Sequence, residues 1–272
     1  MASELVLFQL SSFCALIGMT LGWRGVMTRF AGFYDLPTAW SQVFWGLVVG
    51  GVYASIANWM LLEPYYIAVT SSGQTNAGLN IISLLFVALF ASIASHLLLR
   101  RKRVRQGGSQ PTSGWALGLA MGSMVALVLL FRMFEFEGIF GVAGLANIAL
   151  VAVVTPRAEA LISARHGHLM LSDRRWGAVL RSTFWRSSLL VALYSAAFNP
   201  VVWVFILPFV VLSNSASEAW IWESMPKESR RRLRRLWAEQ ARERGDKSSL
   251  EGASLEGASS EGGGAIFIDS EE

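Results

Sequence analysis

The stretch NAGLNIISLLFVALFASIASHLLLRRKRVR, residues 76–105, decides the fold. Its centre, residues 81–99, is uncharged apart from a histidine, and a helix of about twenty apolar residues crosses the hydrocarbon core of a bilayer, which is about 30 Å thick. Arginines and a lysine follow directly at residues 100–105. Short segments rich in Lys and Arg stay on the cytoplasmic side. The stretch therefore predicts both a membrane-spanning helix and its direction.

The composition extends this prediction to the whole chain. Hydrophobic residues make up 53% of the sequence and charged residues 15%, and the mean hydropathy is +0.45. Soluble domains carry about 25% charged residues. The apolar residues form blocks, whereas a transmembrane β-barrel shows short alternating segments. We therefore expect an all-α fold, a polytopic bundle of membrane-spanning helices.

The blocks predict seven spans, in a chain that begins outside and ends in the cytoplasm. Arg24 and Arg29 follow the first block and place its end in the cytoplasm. Asn199-Pro200 and Pro208 interrupt the last apolar region, so a re-entrant hairpin there, which leaves five spans, or a single kinked span are alternatives. The expected spans are residues 5–23, 40–62, 81–99, 115–131, 139–154, 178–198 and 200–222.

The connections between spans are predicted from prolines and polar residues. Pro64 biases Glu63 away from helical geometry and ends the second span. Residues 106–113, rich in Gly, Ser, Gln and Pro, predict a flexible cytoplasmic loop. Pro156 ends the fifth span, and residues 157–186 form a cytoplasmic connection. Its segment 176–185 is either an amphipathic interfacial helix or the cytoplasmic end of a span.

Three regions follow from the change in composition near the C-terminus. Residues 1–223 form the transmembrane domain, residues 224–247 a basic cytoplasmic helix, and residues 248–272 an acidic, Gly- and Ser-rich tail that we expect to be disordered. The bilayer is the expected partner, with anionic lipid at the basic cytoplasmic segments. A protein partner or a second copy of the chain is also possible, whereas the basic clusters indicate membrane topology and no nucleic acid.

Small residues recur at helical spacing in two spans. Gly46, Gly50 and Ala54 share one face of the second span. A second set, Gly114, Gly118 and Gly122, lies in the fourth span. Such stripes allow close approach of helix backbones in lipid. We expect both spans to use these stripes for packing, and packing against each other is one arrangement.

No catalytic or cofactor motif is present in the sequence. Phosphate-binding and dinucleotide-binding glycine loops, the zinc-protease His-Glu-x-x-His and the Gly-x-Ser-x-Gly elbow are missing. Cys14 is the single cysteine, which excludes a disulfide within the chain. His166 and His168 are two residues apart and do not share a helix face, and His96 fits an interfacial residue. We expect neither a metal nor a cofactor.

The function that these features favour is that of a non-catalytic subunit or scaffold of a membrane complex, because each feature has a structural explanation. A transporter or channel that uses Asn58, Asn147 and Asn199 as pore-lining groups is one alternative.

An intramembrane enzyme that acts on a lipid or isoprenoid is the other alternative. Charges in or near the membrane are costly and are candidates for function. Glu63, Arg132 and Glu135 are the candidate catalytic residues, with a carboxylic acid as proton donor. All fall on the outer side in the predicted topology. The candidate substrate-binding residues on that side are Asn58, Tyr65, Tyr66, Asn76, Asn80 and Glu137.

Overall fold

The computed structural model describes residues 4–30, 36–72, 79–135 and 141–225, together with residues 230–232, 234–239 and 242. The regular elements in these ranges are helical. They are α1 (Glu4–Arg29), α2 (Leu36–Ala57), α3 (Glu63–Ser72), α4 (Ile81–Leu99), α5 (Lys102–Gln106), α6 (Gln110–Phe134), α7 (Val142–Leu171), α8 (Arg175–Phe198) and α9 (Trp203–Ser224). A π-helical turn (Asn58–Leu62) joins α2 to α3, and a 3-10 turn (Pro200–Val202) precedes α9.

The chain divides into two units, Met1–Met225 and Pro226–Glu272. The first unit contains the nine helices named above. In the second, residues 230–232, 234–239 and 242 are helical, within the segment for which the sequence predicts a basic helix. The predicted disordered tail lies outside the described residues.

Six of the described helical segments are long and apolar enough to cross a membrane, which is the pattern of a multi-pass membrane protein. The fully described third span, residues 81–99, agrees with the sequence prediction. Helix α8 is not among the six, and Arg175, Arg181 and Arg186 lie on it. The six segments are Glu4–Arg29, Leu36–Ser71, Ile81–Leu99, Gln110–Phe134, Val142–Leu171 and Pro200–Ser224.

Contacts between helices show their relative directions. Helices α7 and α8 are antiparallel, because Asn147 contacts Ala197 and His166 contacts Ser182. Helices α7 and α9 are parallel, since Asn147 bonds to Trp203 at one end and Arg157 bonds to Asn214 further along. Helix α1 also runs with α7, whereas α2 and α6 run with α8, according to the neighbours of their glycines.

Helix α6 is the centre of the bundle, and most of its residues are buried. Its glycine stripe faces α7: an added Cβ at Gly118 would lie 2.6 Å from Cα of Ala160, and one at Gly122 would lie 2.6 Å from Cα of Pro156. The α2 stripe packs on the other side of α6, where a Cβ at Gly50 would lie 2.7 Å from Cα of Met121. The two stripes thus serve packing as predicted. The second and fourth spans pack against each other through the α2 stripe, whereas the α6 stripe faces α7.

The prediction that the second span ends at Glu63 was wrong. Glu63 has helical dihedral angles (φ −65°, ψ −46°), and its backbone N–H donates to the carbonyl of Asn58 in a π-helical turn. Proline cannot donate a backbone hydrogen bond. The wider π-helical turn before Pro64 changes the hydrogen-bond register, so the helix continues into α3.

Two further boundaries also differ from the predictions. Pro111 lies in the first turn of α6, where its missing N–H is tolerated, so residues 110–113 are helical and buried. Pro156 lies inside α7, which continues to Leu171. Pro156 has no N–H to donate to the Ala152 carbonyl, and this carbonyl faces Gly18 of α1. Because α7 continues, residues 157–171 are part of a helix of the bundle and do not form a connection between helices.

A methyl group at Gly118 should destabilise the bundle. Gly118→Ala places a Cβ against the α7 backbone, which cannot move away as a side chain can, and we expect a loss of about 1–3 kcal/mol in the free energy of unfolding. Gly51→Ala is the matched control, because its Cβ would lie 3.5 Å from the flexible end of Met124. Thermal unfolding of the purified variants in detergent measures both. Equal stability of the two variants would contradict close α6–α7 contact.

Candidate functional site

The candidate site is a charged pair enclosed by the helix bundle. Arg186 lies near the middle of α8, and its side chain is 0% exposed; that of Glu159 on α7 is 2% exposed. An isolated buried charge costs several kcal/mol, so such groups occur where partners compensate them. The two residues therefore form a candidate functional site.

The guanidinium of Arg186 is surrounded by acceptors. Its Nε donates to Oε2 of Glu159 at 3.0 Å, and Nη1 donates to Oγ of Ser92 at 3.0 Å. Nη2 donates to Oγ of Ser95 at 3.0 Å and to Oγ of Ser163 at 2.8 Å. Four of the five N–H donors of an arginine are thus used. The second carboxylate oxygen, Oε1 of Glu159, accepts from the Tyr53 hydroxyl at 3.3 Å.

Helical spacing explains how these partners come together. Ser92 and Ser95 are three residues apart on α4, and Glu159 and Ser163 are four apart on α7, so each pair shares a helix face. The hydroxyls of Ser92 and Ser95 donate to backbone carbonyls one turn earlier, which leaves their lone pairs for Arg186. With Tyr53 on α2, the cluster joins four helices: α2, α4, α7 and α8.

A histidine pair lies beside this cluster. Nδ1 of His96 and Nε2 of His166 are 3.1 Å apart, and Nδ1 of His166 is 2.9 Å from Oγ of Ser182. His166 is 1% exposed. Within the described part of the chain, no three His, Cys, Asp or Glu side chains gather as a metal site would require. The contact of His96 with His166 joins α4 to α7, and the sequence did not indicate it.

The predicted catalytic residues meet at one end of the bundle. Nη1 of Arg132 lies 3.3 Å from Glu135, and Nη2 lies 3.8 Å from Glu63. Its Nε donates to Oδ1 of Asn58 at 3.1 Å, and its Cζ lies 5.9 Å from the ring centre of Tyr66. The Arg132 side chain is 21% exposed and that of Glu63 is 45% exposed. This partly solvated group is called the Arg132 cluster below.

Two other predicted substrate-binding residues that the structure describes, Asn80 and Tyr65, make contacts elsewhere. Asn80 caps α4, where its side chain accepts from the N–H groups of Ile82 and Ser83. The ring of Tyr65 packs 5.5 Å from that of Phe198. Asn76 and Glu137 lie outside the described residues.

The asparagines proposed for a pore take part in contacts between and within helices. Asn147 donates to the Ala197 carbonyl at 3.0 Å and accepts from Nε1 of Trp203 at 2.6 Å. Asn199 accepts from the N–H of Val201 at the α8–α9 turn. These bonds hold the turn and join α7 to α8 and α9.

Sequence reasoning missed the buried pair because it assigned Glu159 to a cytoplasmic connection and placed Arg186 where that connection overlaps the start of the span predicted at residues 178–198. The available signal was the presence of Glu159, Ser163 and Arg186 among apolar neighbours. This signal could be recognised only if the helix was expected to continue through Pro156. Chemically, the cluster combines one cation with one anion, and both carboxylate oxygens are occupied. Such an arrangement is suited to holding helices together.

A comparison of the chain with models of protein families, with curated proteins and with solved structures finds no match.

Removal of one partner of the buried pair should cost more than removal of both charges. Arg186→Met leaves Glu159 charged in an apolar surrounding, and we expect a loss of about 3–5 kcal/mol. Arg186→Met combined with Glu159→Gln removes both charges and keeps an acceptor for Tyr53, so most of the loss should be recovered. Thermal unfolding in detergent compares the single and double variants. A double variant no more stable than the single one would show that charge compensation is not the cause.

Proposed function

We propose that the chain crosses the membrane seven times, with α8 as the additional crossing. Helices α7 and α9 are parallel and both are long and apolar enough to span. If both cross in the same direction, the chain has to return between them, and α8 is the helix between them. Its 24 residues extend about 36 Å at 1.5 Å per residue, which exceeds the hydrocarbon thickness.

The distribution of basic residues supports an external N-terminus and a cytoplasmic C-terminus. The end of the bundle where α1 and α7 finish and α8 begins carries Arg29, Arg174 and Arg175, and residues 100–105 precede α6 at the same end. At the opposite end, Arg132 lies with Glu63 and Glu135. The positive-inside rule places the first of these ends in the cytoplasm.

Cysteine accessibility tests both proposals. In a Cys14→Ser background, Ser172→Cys lies in the exposed α7–α8 turn, and Val201→Cys lies in the α8–α9 turn, where Val201 is 66% exposed. An impermeant thiol reagent added outside intact cells should label only the position at Val201. Inverted membranes should show the reverse. Labelling of both positions from one side would show that α8 does not cross the membrane. Labelling of the position at Ser172 from outside and of the position at Val201 from inside would show the opposite orientation.

We further propose that the protein is a non-catalytic subunit or scaffold of a membrane complex. The observation that carries this proposal is the use of the buried charges: Arg186 and Glu159 bond to partners on four helices of the same chain. Asn147 likewise bonds to α8 and α9. Groups used for such contacts support a rigid helical body better than they support a reaction or a hydrated pore.

The intramembrane enzyme acting on a lipid or isoprenoid remains the second candidate, on one specific observation. Glu63 and Glu135 both lie near Arg132, and a carboxyl group beside a substrate can act as its proton donor, with the Tyr66 ring close to the same arginine. The partial exposure of this cluster gives a substrate access, in contrast to the buried pair.

One experiment separates the two candidates. Glu63→Gln with Glu135→Gln removes the acids of the Arg132 cluster, and Arg186→Met with Glu159→Gln removes the buried charges. A scaffold should keep its complex, measured as particle mass in discs cut from the native membrane, and both double variants should correct the defect of cells lacking the gene. If the Glu63→Gln, Glu135→Gln variant does not correct the cellular defect although its complex is unchanged, the enzyme is favoured. A wild-type particle containing one copy and no companion would overturn the scaffold proposal.

A further inference from the structure

A groove of about 200 Å³ lies between α7, α8 and α9. Most of its lining is apolar and aromatic, including Trp185, Phe205 and Phe209. The lining also contains two arginines, Arg165 and Arg181, and no acidic residue from the described part of the chain. The groove is therefore an apolar site with a net positive charge, separate from the Arg132 cluster.

The charges and the apolar residues occupy different ends of the groove. Arg165 lies in the last turns of α7 and Arg181 in the first turns of α8, and these segments are adjacent because the helices are antiparallel. The Cζ atom of Arg165 lies 5.5 Å from the ring centre of Trp220. At the other end, Ala192 and Phe205 line the groove near the α8–α9 turn. The site thus has a cationic end and an apolar end.

The mouth of the groove lies on the apolar outer surface of the bundle. Phe205 is 76% exposed and Phe209 is 44% exposed, and next to them Val204 and Leu212 are 67% and 72% exposed. The ring of Phe209 stacks on that of Trp185 at 4.7 Å between centres, which closes one side. An opening surrounded by exposed apolar side chains faces the hydrocarbon of the bilayer, so a ligand can enter from the membrane.

The length of the groove matches one leaflet. Along α8, lining residues extend from Ala178 to Ala192, about 21 Å at 1.5 Å per residue. Half of a bilayer including its headgroup region measures about 20 Å. The enclosed volume is below that of typical small-molecule pockets, about 300–1,000 Å³. The groove therefore fits part of a long amphiphile, such as one acyl chain, with the remainder in the surrounding bilayer.

We propose that this groove binds one anionic phospholipid from the leaflet at the basic end of the bundle. The lipid phosphate contacts Arg165 and Arg181, and one acyl chain lies along the apolar part past Trp185 toward Ala192. Arginine favours phosphate because its planar N–H donors match the phosphate oxygens. A free phosphate would gain nothing from the apolar part, so the observations favour a lipid.

Native mass spectrometry of the full chain, released from discs with equal amounts of phosphatidylglycerol and phosphatidylcholine, tests this proposal. The wild type should retain one lipid, predominantly phosphatidylglycerol. Arg165→Gln with Arg181→Gln should reduce the preference for the anionic lipid roughly 25-fold, about fivefold for each arginine. The matched control is Arg174→Gln with Arg175→Gln, which removes the same charge from exposed positions outside the groove. That control should keep the preference.

A second variant tests the chain-binding part. Ala192→Phe fills the apolar end and keeps both arginines, so retention of the lipid should fall while the variant still elutes as a single folded species. Inorganic phosphate at millimolar concentration should not displace the lipid. Equal retention of the two lipids by the wild type, an equal loss in the Arg174/Arg175 control, unchanged retention in Ala192→Phe, or displacement by phosphate alone would each overturn the proposal.

Discussion

The contact between Arg186 and Glu159 is the interaction on which the bundle most depends. A charge inside a membrane protein is tolerated where an opposite charge and polar groups replace water. Here the opposite charge comes from the neighbouring helix, and the polar groups come from Ser92, Ser95 and Ser163. Because these partners lie on different helices, the need to satisfy one arginine fixes how α4, α7 and α8 are placed relative to one another. Tyr53 extends the same requirement to α2.

The ion pair requires close helices, and glycines allow them. Gly118 of α6 lies against the backbone at Glu159 and Ala160, and Gly122 lies against Pro156. With larger residues at these positions, α7 would lie further from α6, and its position relative to α4 and α8 would change as well. Lipid gives no hydrophobic force between helices, so such close contacts and interhelical hydrogen bonds supply much of the association energy. The packing and the polar cluster are therefore parts of one arrangement.

The two ends of the bundle differ in their chemistry. At one end, two acids, Glu63 and Glu135, lie beside a single arginine, Arg132, so this cluster has no excess of positive charge. At the other end, arginines outnumber acids, and two of them, Arg165 and Arg181, line the apolar groove. This asymmetry supports both the proposed orientation and the proposed lipid site, but for different reasons: the first depends on charge number along the chain, and the second on where two particular guanidinium groups lie.

The sequence by itself determined the helical class, most of the apolar spans and the shared helix face of Arg132 and Glu135, because length, hydropathy and helical spacing are local properties. It placed Glu63 at the same end of the bundle, but the 3.8 Å approach of Arg132 to Glu63 required the tertiary structure. It could not determine that α7 continues through Pro156. The proline has no N–H for the Ala152 carbonyl, and that carbonyl faces Gly18 of α1, a contact between helices that the local sequence does not reveal. The pairing of His96 with His166, and of Arg186 with serines on α4, likewise joins residues 70 or more positions apart. Only the tertiary structure decides such contacts, because each requires two helices to be adjacent at a particular register.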